Sequence, residues 1–173
     1  MISMKQKKTP SESLATTTEM VLPNDTNTLN NLMGGQLMYL MDVVAAISAQ
    51  RHSGRVVVTA SVDNISFSQA IALGEVVTLK AQVTRAFSSS MEVYIQVFSE
   101  NIPAGTKTPT NEAFFTFVAV DQTGKPINVP ALVPETEREV DLYESALRRR
   151  QLRLVLAGRM KPQDANELAA IFK

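Results

Sequence analysis

The sequence predicts an α+β fold in which an antiparallel sheet carries one long apolar helix and a helical extension follows. Three observations point there. A proline-free segment from Gly34 to about Arg51 is built of strong helix formers. Four later segments alternate apolar and polar residues between turn formers, the period of half-buried strands. The segment 134–173 then returns to a helical distribution of charge.

Of the 173 residues 45% are hydrophobic, enough for one core with an appendage. We expect a flexible N-terminus over 1–11, a main domain over 12–133 and a helical extension over 134–173. The formal net charge is zero, so the balance favours neither nucleic acid nor a membrane surface as partner. There is no cysteine, which removes disulfides, thiolate catalysis and zinc–sulfur sites together and fits a cytoplasmic location. The polar, basic start MISMKQKKTPSES leads into no signal-peptide core, and no run reaches the ~20 apolar residues of a membrane span.

Along the chain, SLATTTEMVL reads as a first strand and PNDTNTLNN as a long turn. In the helix from Gly34, residues Leu37, Met38, Leu40, Met41, Val44, Ala45 and Ile47 are apolar around most of the circumference, which predicts burial on more than one side. Beyond HSG come the strands RVVVTASVDNISF, GEVVTLKAQVTRA, SSSMEVYIQVFSE and TNEAFFTFVAVD, bounded by Gly74, the serines 88–90 and Pro103–Gly105. QTGKP ends the sheet in a turn. In the extension, acids lead and Arg148, Arg149, Arg150 and Arg153 follow, which complements a helix dipole, and Gly158 stops the helix. Val140, Tyr143, Leu147 and Leu154 form one apolar stripe, and KPQDANELAAIF reads as a further short helix with Pro162 in its first turn.

Several chemistries lack their residues. There is no G-x-S-x-G, and His52 is the only histidine, read as a basic side chain near a helix C-terminus. Phosphate-loop and dinucleotide glycine patterns are missing, and no tight cluster of ligands asks for a metal.

What remains is NNLMGGQLMYLMDVV. Gly34 and Gly35 stand where the helix begins, so unpaired amides and the positive end of the dipole meet there. Such an end binds an anion or polarises a carbonyl, and glycine lets a ligand come close. Asp42 is the carboxylate inside the apolar run; it either looks outward or faces a cavity that uses it. It lies two turns after Gly35, on the same face but roughly 10 Å further along the axis. One helix cannot bring both within ~3 Å of one carbonyl, whereas two antiparallel copies can.

PNDTNTLNNLMGGQLMYLMD, followed by VVVTASVDNISF, LGEVVTLKAQV, SSSMEV and FFTFVAVDQTGKPINVP, resembles the hotdog-fold acyl-CoA thioesterases of the cytosolic acyl-CoA hydrolase type, in order from about Leu22 to Pro130. The resemblance implies an antiparallel sheet of five or six strands wrapped around the central helix. It also implies homodimers whose two sheets continue into one, often gathered as trimers of dimers, a packing the Val140 stripe would serve. The implied activity is hydrolysis of acyl-CoA at sites shared between subunits, without cofactor or metal. Asp42 matches the catalytic carboxylate, and Asn31 an asparagine that takes part in related members. Where some relatives carry an Asn-Gly pair this chain has TLNN, so Asn30 replaces a glycine that shapes the loop.

On that reading the Gly34 and Gly35 amides, with Asn31, hold the thioester oxygen while Asp42 of the facing subunit activates a water or attacks directly. The edge VTASVDNISF, with Thr59 and Ser61, is expected to pair the amides of the pantetheine arm. Arg55, Arg85 and the turn of Ser88, Ser89 and Ser90 are candidates for the CoA phosphates. Two rivals stand beside it: a non-catalytic acyl-CoA sensor on the same fold, and a hydratase or dehydratase. The latter calls for a histidine beside the carboxylate, and His52 lies about three turns beyond Asp42.

Overall fold

A computed structural model describes residues 7–63, 65–67 and 69–172. In chain order its elements are β1 (Lys7–Lys8), β2 (Ala15–Met20), α1 (Gly34–Ser53), β3 (Val56–Val62), β4 (Val76–Ala86), β5 (Ser90–Asn101), β6 (Thr106–Val120), β7 (Ala131–Leu132), α2 (Glu137–Leu156) and α3 (Asn166–Ala169). Five strands form an antiparallel sheet in the order β2-β4-β5-β6-β3. This is the five-stranded, mixed α+β form of the expected hotdog sheet.

Alternation decides which face is core. Val77, Leu79, Ala81 and Val83 of β4, Met91, Val93, Ile95 and Val97 of β5, and Ala113, Phe115, Phe117 and Ala119 of β6 are all buried. α1 packs on this sheet with Leu37, Leu40, Met41, Val44, Ala45, Ser48 and Ala49. Each large side chain so enclosed contributes about 1.5–3 kcal/mol of burial.

Two expectations change in the structure. Burial of the helix on more than one side does not hold for a single chain: Met38, Tyr39, Val43 and Ile47 lie exposed, Tyr39 by 62%. The sheet in one chain is wide enough to cover only one face of α1. The second of the expected strands, β3 in the structure, also stops early, at Val62, so Ile65, Ser66 and Phe67 of NISF lie outside it.

β3 is an edge strand. Among the described residues it pairs only with β6, and Val56 is 66% exposed. A β-bulge interrupts its register between Thr59 and Ser61. An unpaired apolar edge beside an exposed apolar helix face is a surface that native chains cover.

The looseness expected over 1–11 does not hold for 7–11; positions 1–6 lie outside the described residues. Lys7 and Lys8 pair in parallel with Ala131 and Leu132, and Pro10 is buried at the head of a 3-10 turn, Pro10–Ser13. The backbone N–H of Thr9 donates to Glu12 Oε2 at 2.7 Å, and Lys8 Nζ donates to Arg51 O at 2.8 Å.

The chain divides into two units, Met1–Val133 and Pro134–Lys173. In the second, Thr136 and Glu139 cap α2 reciprocally, the N–H of Glu139 donating to Thr136 Oγ1 at 3.2 Å and the N–H of Thr136 to Glu139 Oε2 at 3.0 Å. Gly158 takes φ 67° where the helix stops. Pro162 opens a separate 3-10 turn, Pro162–Asp164, rather than the first turn of α3, and Leu168 N–H donates to Gln151 Oε1 at 2.9 Å. Within the stripe predicted on α2, Val140 is exposed and Tyr143, Leu147 and Leu154 are half-buried.

His52 corrects its sequence reading. Instead of a solvated cation it is 0% exposed, with Nε2 2.9 Å from the Pro130 carbonyl. A carbonyl only accepts, so Nε2 carries the proton and the buried Nδ1 has no partner. Burial first, then the nearby Lys8 charge, holds its pKa below the usual histidine value, against the Pro130 bond and Glu12. The unfolded chain therefore binds this proton more readily, and the stability His52 contributes is complete above about pH 6.5 and lost as pH falls through the folded pKa. Melting temperatures measured between pH 7.5 and 5 should fall with acidification. His52→Gln, which keeps an N–H for Pro130 but does not titrate, should flatten that fall.

Candidate active site

The turn-rich segment before α1 builds a rigid platform. Asn27 Oδ1 accepts the N–H of Leu29 at 2.9 Å and of Asn31 at 3.2 Å, and the Asn30 N–H donates to Asn27 O at 3.0 Å. Asn30 sits at φ 56°, a left-handed conformation that asparagine tolerates better than most residues. Leu32 N–H donates to Ile71 O and Leu73 N–H to Asn30 O, both at 2.8 Å, and Met33 N–H donates to Asp25 O at 2.9 Å. The start of α1 is thereby fixed against the segment that leads into β4.

Met33 is the N-cap and makes no side-chain cap bond; the Leu37 N–H donates to Met33 O at 3.0 Å. The amides of Gly34, Gly35 and Gln36 thus precede the first helical donor, the Leu37 N–H, at the positive end of the dipole. A cavity of about 290 Å³ opens beside this end, lined in part by Asn27, Asn31 and Gly34. Asn31 and Gly34 meet there as the sequence proposed, and Asn27, which it did not single out, joins them. The side-chain oxygen of Asn27 is engaged by two backbone amides, which leaves its NH₂ as donor.

Asp42 lies two turns further along α1, half-buried at the border between its buried and exposed faces. The Thr59 hydroxyl donates to Asp42 Oδ1 at 2.7 Å. Thr59, expected to face pantetheine, thus holds one oxygen of the carboxylate through its side chain. Gly35 and Asp42 share a helical face and remain roughly 10 Å apart along the axis within one chain.

The phosphate candidates gather at the opposite end of the sheet from the glycine pair. Arg55 follows Gly54, whose φ of 64° ends α1, and lines a second cavity of about 430 Å³ with Val120, Asp121 and Thr123. Ser89 O accepts the Ala119 N–H at 2.9 Å and Ser88 O the Val129 N–H at 3.0 Å, while Ser90 O accepts the Phe87 N–H at 2.8 Å. The Ser90 carbonyl closes the β4–β5 turn, and those of Ser88 and Ser89 tie it to β6 and the segment after β6. The Arg85 guanidinium lies 5.6 Å from the centre of the Phe87 ring. Ser61 sits past the bulge, opposite Thr116.

The hydratase reading fails on geometry, because His52 is enclosed and its Nε2 is committed to Pro130. Among the described residues no group of three or more His, Asp or Glu side chains is placed to hold a metal, and no helix is long and apolar enough to cross a membrane.

Residues 29–105 match the model of the thioesterase superfamily. A Bacillus subtilis protein named as an uncharacterised acyl-CoA thioester hydrolase is 44% identical over 138 residues, 80% of either chain. A hexameric acyl-CoA thioesterase superposes with a TM-score of 0.85 at 41% identity, over 88% of this chain and 97% of that one. The acyl-CoA hydrolase of Staphylococcus aureus, solved with butyryl-CoA, CoA and CoA disulfide, gives 0.81 at 36% identity over 88% and 95%. That hydrolase has also been solved with an aspartate, a threonine and an asparagine each replaced by alanine. The three follow one another at the spacings of Asn27, Asp42 and Thr59 in this chain.

The left-handed Asn30 makes a measurable demand on the platform. Asn30→Ala should lower stability by about 1–2 kcal/mol, the cost of a left-handed residue with an ordinary side chain, whereas Asn30→Gly should match or exceed the wild type. Thermal melting of the two variants checks this, and equal melting temperatures would contradict the assigned backbone.

Proposed function

Because the chain belongs to the acyl-CoA thioester hydrolases of the thioesterase superfamily, and is thus a thioester hydrolase, we propose that it cleaves acyl-CoA to free acid and CoA at sites completed by two copies of the chain. Membership removes the non-catalytic sensor as a rival. The observation that carries the finer reading is the Thr59–Asp42 hydrogen bond, which holds a carboxylate at the rim of an exposed apolar helix face.

A second copy supplies what one chain lacks. With two α1 helices antiparallel, the amides of Gly34 and Gly35 of one subunit face Asp42 of the other, and Met38 and Tyr39, midway between, fall at the twofold axis. The exposed residues Met38, Tyr39, Val43 and Ile47 are then covered, and the unpaired edge of β3 meets its own copy. Higher assembly into a hexamer, the state named for the similar thioesterase, is part of this proposal. A cytoplasmic location, suggested by the cysteine-free sequence, also belongs to it.

In the chemistry, the thioester oxygen lies against the Gly34 and Gly35 amides, with Asn27 and Asn31 as side-chain donors. Asp42 either takes a proton from a water that attacks the carbonyl carbon, or attacks it to form a mixed anhydride that water then opens. Charge gathers on the oxygen in both routes, where the amides and the dipole stabilise it. The C–S bond breaks and the thiolate leaves, taking up a proton as CoA. Asn27 replaces Asn31 as the foremost side-chain donor, since the alanine variants of the Staphylococcus aureus hydrolase match its spacing.

CoA occupies the groove along β3. Thr59 touches Asp42, and Arg55, the residue just before β3, precedes it by four residues, about 13 Å of extended chain. That is close to the reach of an extended pantetheine arm, so Arg55 takes a phosphate, and Arg85 with Ser88, Ser89 and Ser90 completes this corner. Ser61, past the bulge, pairs an amide of the arm.

Thiol release from acyl-CoA tests the reading. Asp42→Ala should lower turnover about 10²–10⁴-fold with melting and assembly unchanged, and turnover at the wild-type rate would refute the role. Thr59→Ala should lower it less, through a mobile carboxylate. Asn27→Ala should lower it by ~10² and Asn31→Ala by less, the order expected for one oxyanion donor. Mixing Asp42→Ala with Asn27→Ala and allowing subunit exchange should restore about a quarter of wild-type activity, since each mixed dimer keeps one intact site. No recovery despite exchange would place both residues in a site within one subunit.

A further inference from the structure

The cavity at the start of α1 has a wall that the mechanism does not use. Its polar lining is Asn27, Asn31 and Gln69; the rest includes Leu37, Ile71 and Phe67. Leu37 and Ile71 are buried parts of the core, whereas Phe67 is half-exposed and stands on the connection after β3, outside helix and strand. Its ring lies directly over Gly34, where a Cβ would sit 3.6 Å from its Cζ. The ring and the helix start therefore enclose the cavity between them at the point where the thioester carbonyl meets the Gly34 amide.

We propose that this cavity receives the acyl chain and that the Phe67 ring limits how long a chain it admits. The inference rests on the thioesterase reading. A thioester held at the Gly34 amide has two arms: CoA runs toward β3 and the partner, so the acyl arm is left facing the apolar wall of Phe67, Leu37 and Ile71. The cavity, about 290 Å³, is bounded on this side by the Phe67 ring. A longer chain must displace the Phe67 ring. Because the ring belongs to a connection and not to the core, its removal enlarges the cavity without opening the sheet.

The experiment measures kcat and KM for acetyl-, butyryl-, octanoyl- and palmitoyl-CoA with wild type, Phe67→Ala, Phe67→Leu and Phe67→Trp. Wild-type kcat/KM should be lower for palmitoyl-CoA than for butyryl-CoA. Phe67→Ala should raise the palmitoyl-to-butyryl ratio of kcat/KM by at least about tenfold, mainly through KM for palmitoyl-CoA, the scale on which apolar pockets discriminate. Phe67→Leu should fall between, and Phe67→Trp should shift the optimum to shorter chains. Hydrolysis by all four proteins with one common chain-length profile would overturn the role of Phe67 while leaving the thioesterase reading intact. No hydrolysis of any acyl-CoA by the wild type would instead overturn that reading, and the inference with it.

Discussion

Everything in the main unit depends on one helix, α1, packed on one face of a five-stranded sheet. The inner side chains, from Leu37 to Ala49, close against Val77, Leu79, Ile95, Phe115 and their neighbours with no solvent exposure to speak of. A close-packed interior tolerates little slippage, so the rotation of α1 about its own axis is fixed by this contact. Rotation then decides where every other residue of the helix points. Gly35 and Asp42, two turns apart, are delivered to one outer face, and Met38, Tyr39, Val43 and Ile47 are left there without a partner in the chain.

The position of Asp42 follows from the same constraint. A carboxylate on the inner side would lose hydration without a counter-charge, and one at the middle of the outer face would have no neighbour to hold it. At the border it keeps access to solvent while reaching β3, where the Thr59 hydroxyl meets Oδ1. β3 brings that hydroxyl because it returns along the helix as the last strand of the sheet, beyond β6. Both ends of α1 are pinned: Asn27, Asn30 and the Ile71–Leu73 segment hold the start, while His52 and Pro130 hold the end. Rigidity of that kind suits a site whose amides must be aimed before the substrate arrives.

The unpaired edge of β3 and the outer face of α1 form one continuous demand for cover. The proposed catalytic arrangement makes the same demand, since the amides and the carboxylate are too far apart along one helix to serve one carbonyl. In the proposed dimer, packing and chemistry are met by the same twofold.

The sequence by itself determined the class of fold and the parts of the site that lie on one element. The period of two after HSG and the proline-free run from Gly34 are local properties, legible because each depends on neighbouring residues alone. Asp42 was legible because a lone charge in an apolar run is conspicuous without any structure. Tertiary structure decided what depends on contacts between distant segments. Thr59 was read as a contact for the pantetheine arm, and only the packing of β3 beside α1 places its hydroxyl on Asp42. Asn27 was hidden among turn formers, and only the two amides on its side-chain oxygen mark it as the organiser of the loop. His52 looked like a dipole-compensating cation, but burial made it a neutral donor to Pro130, and Phe67 looked like part of a strand until the chain left the sheet and laid its ring over Gly34. Periodicity assigns a residue to a face; which side chain that face meets is set by strand register and helix rotation, and those are fixed only when the core closes.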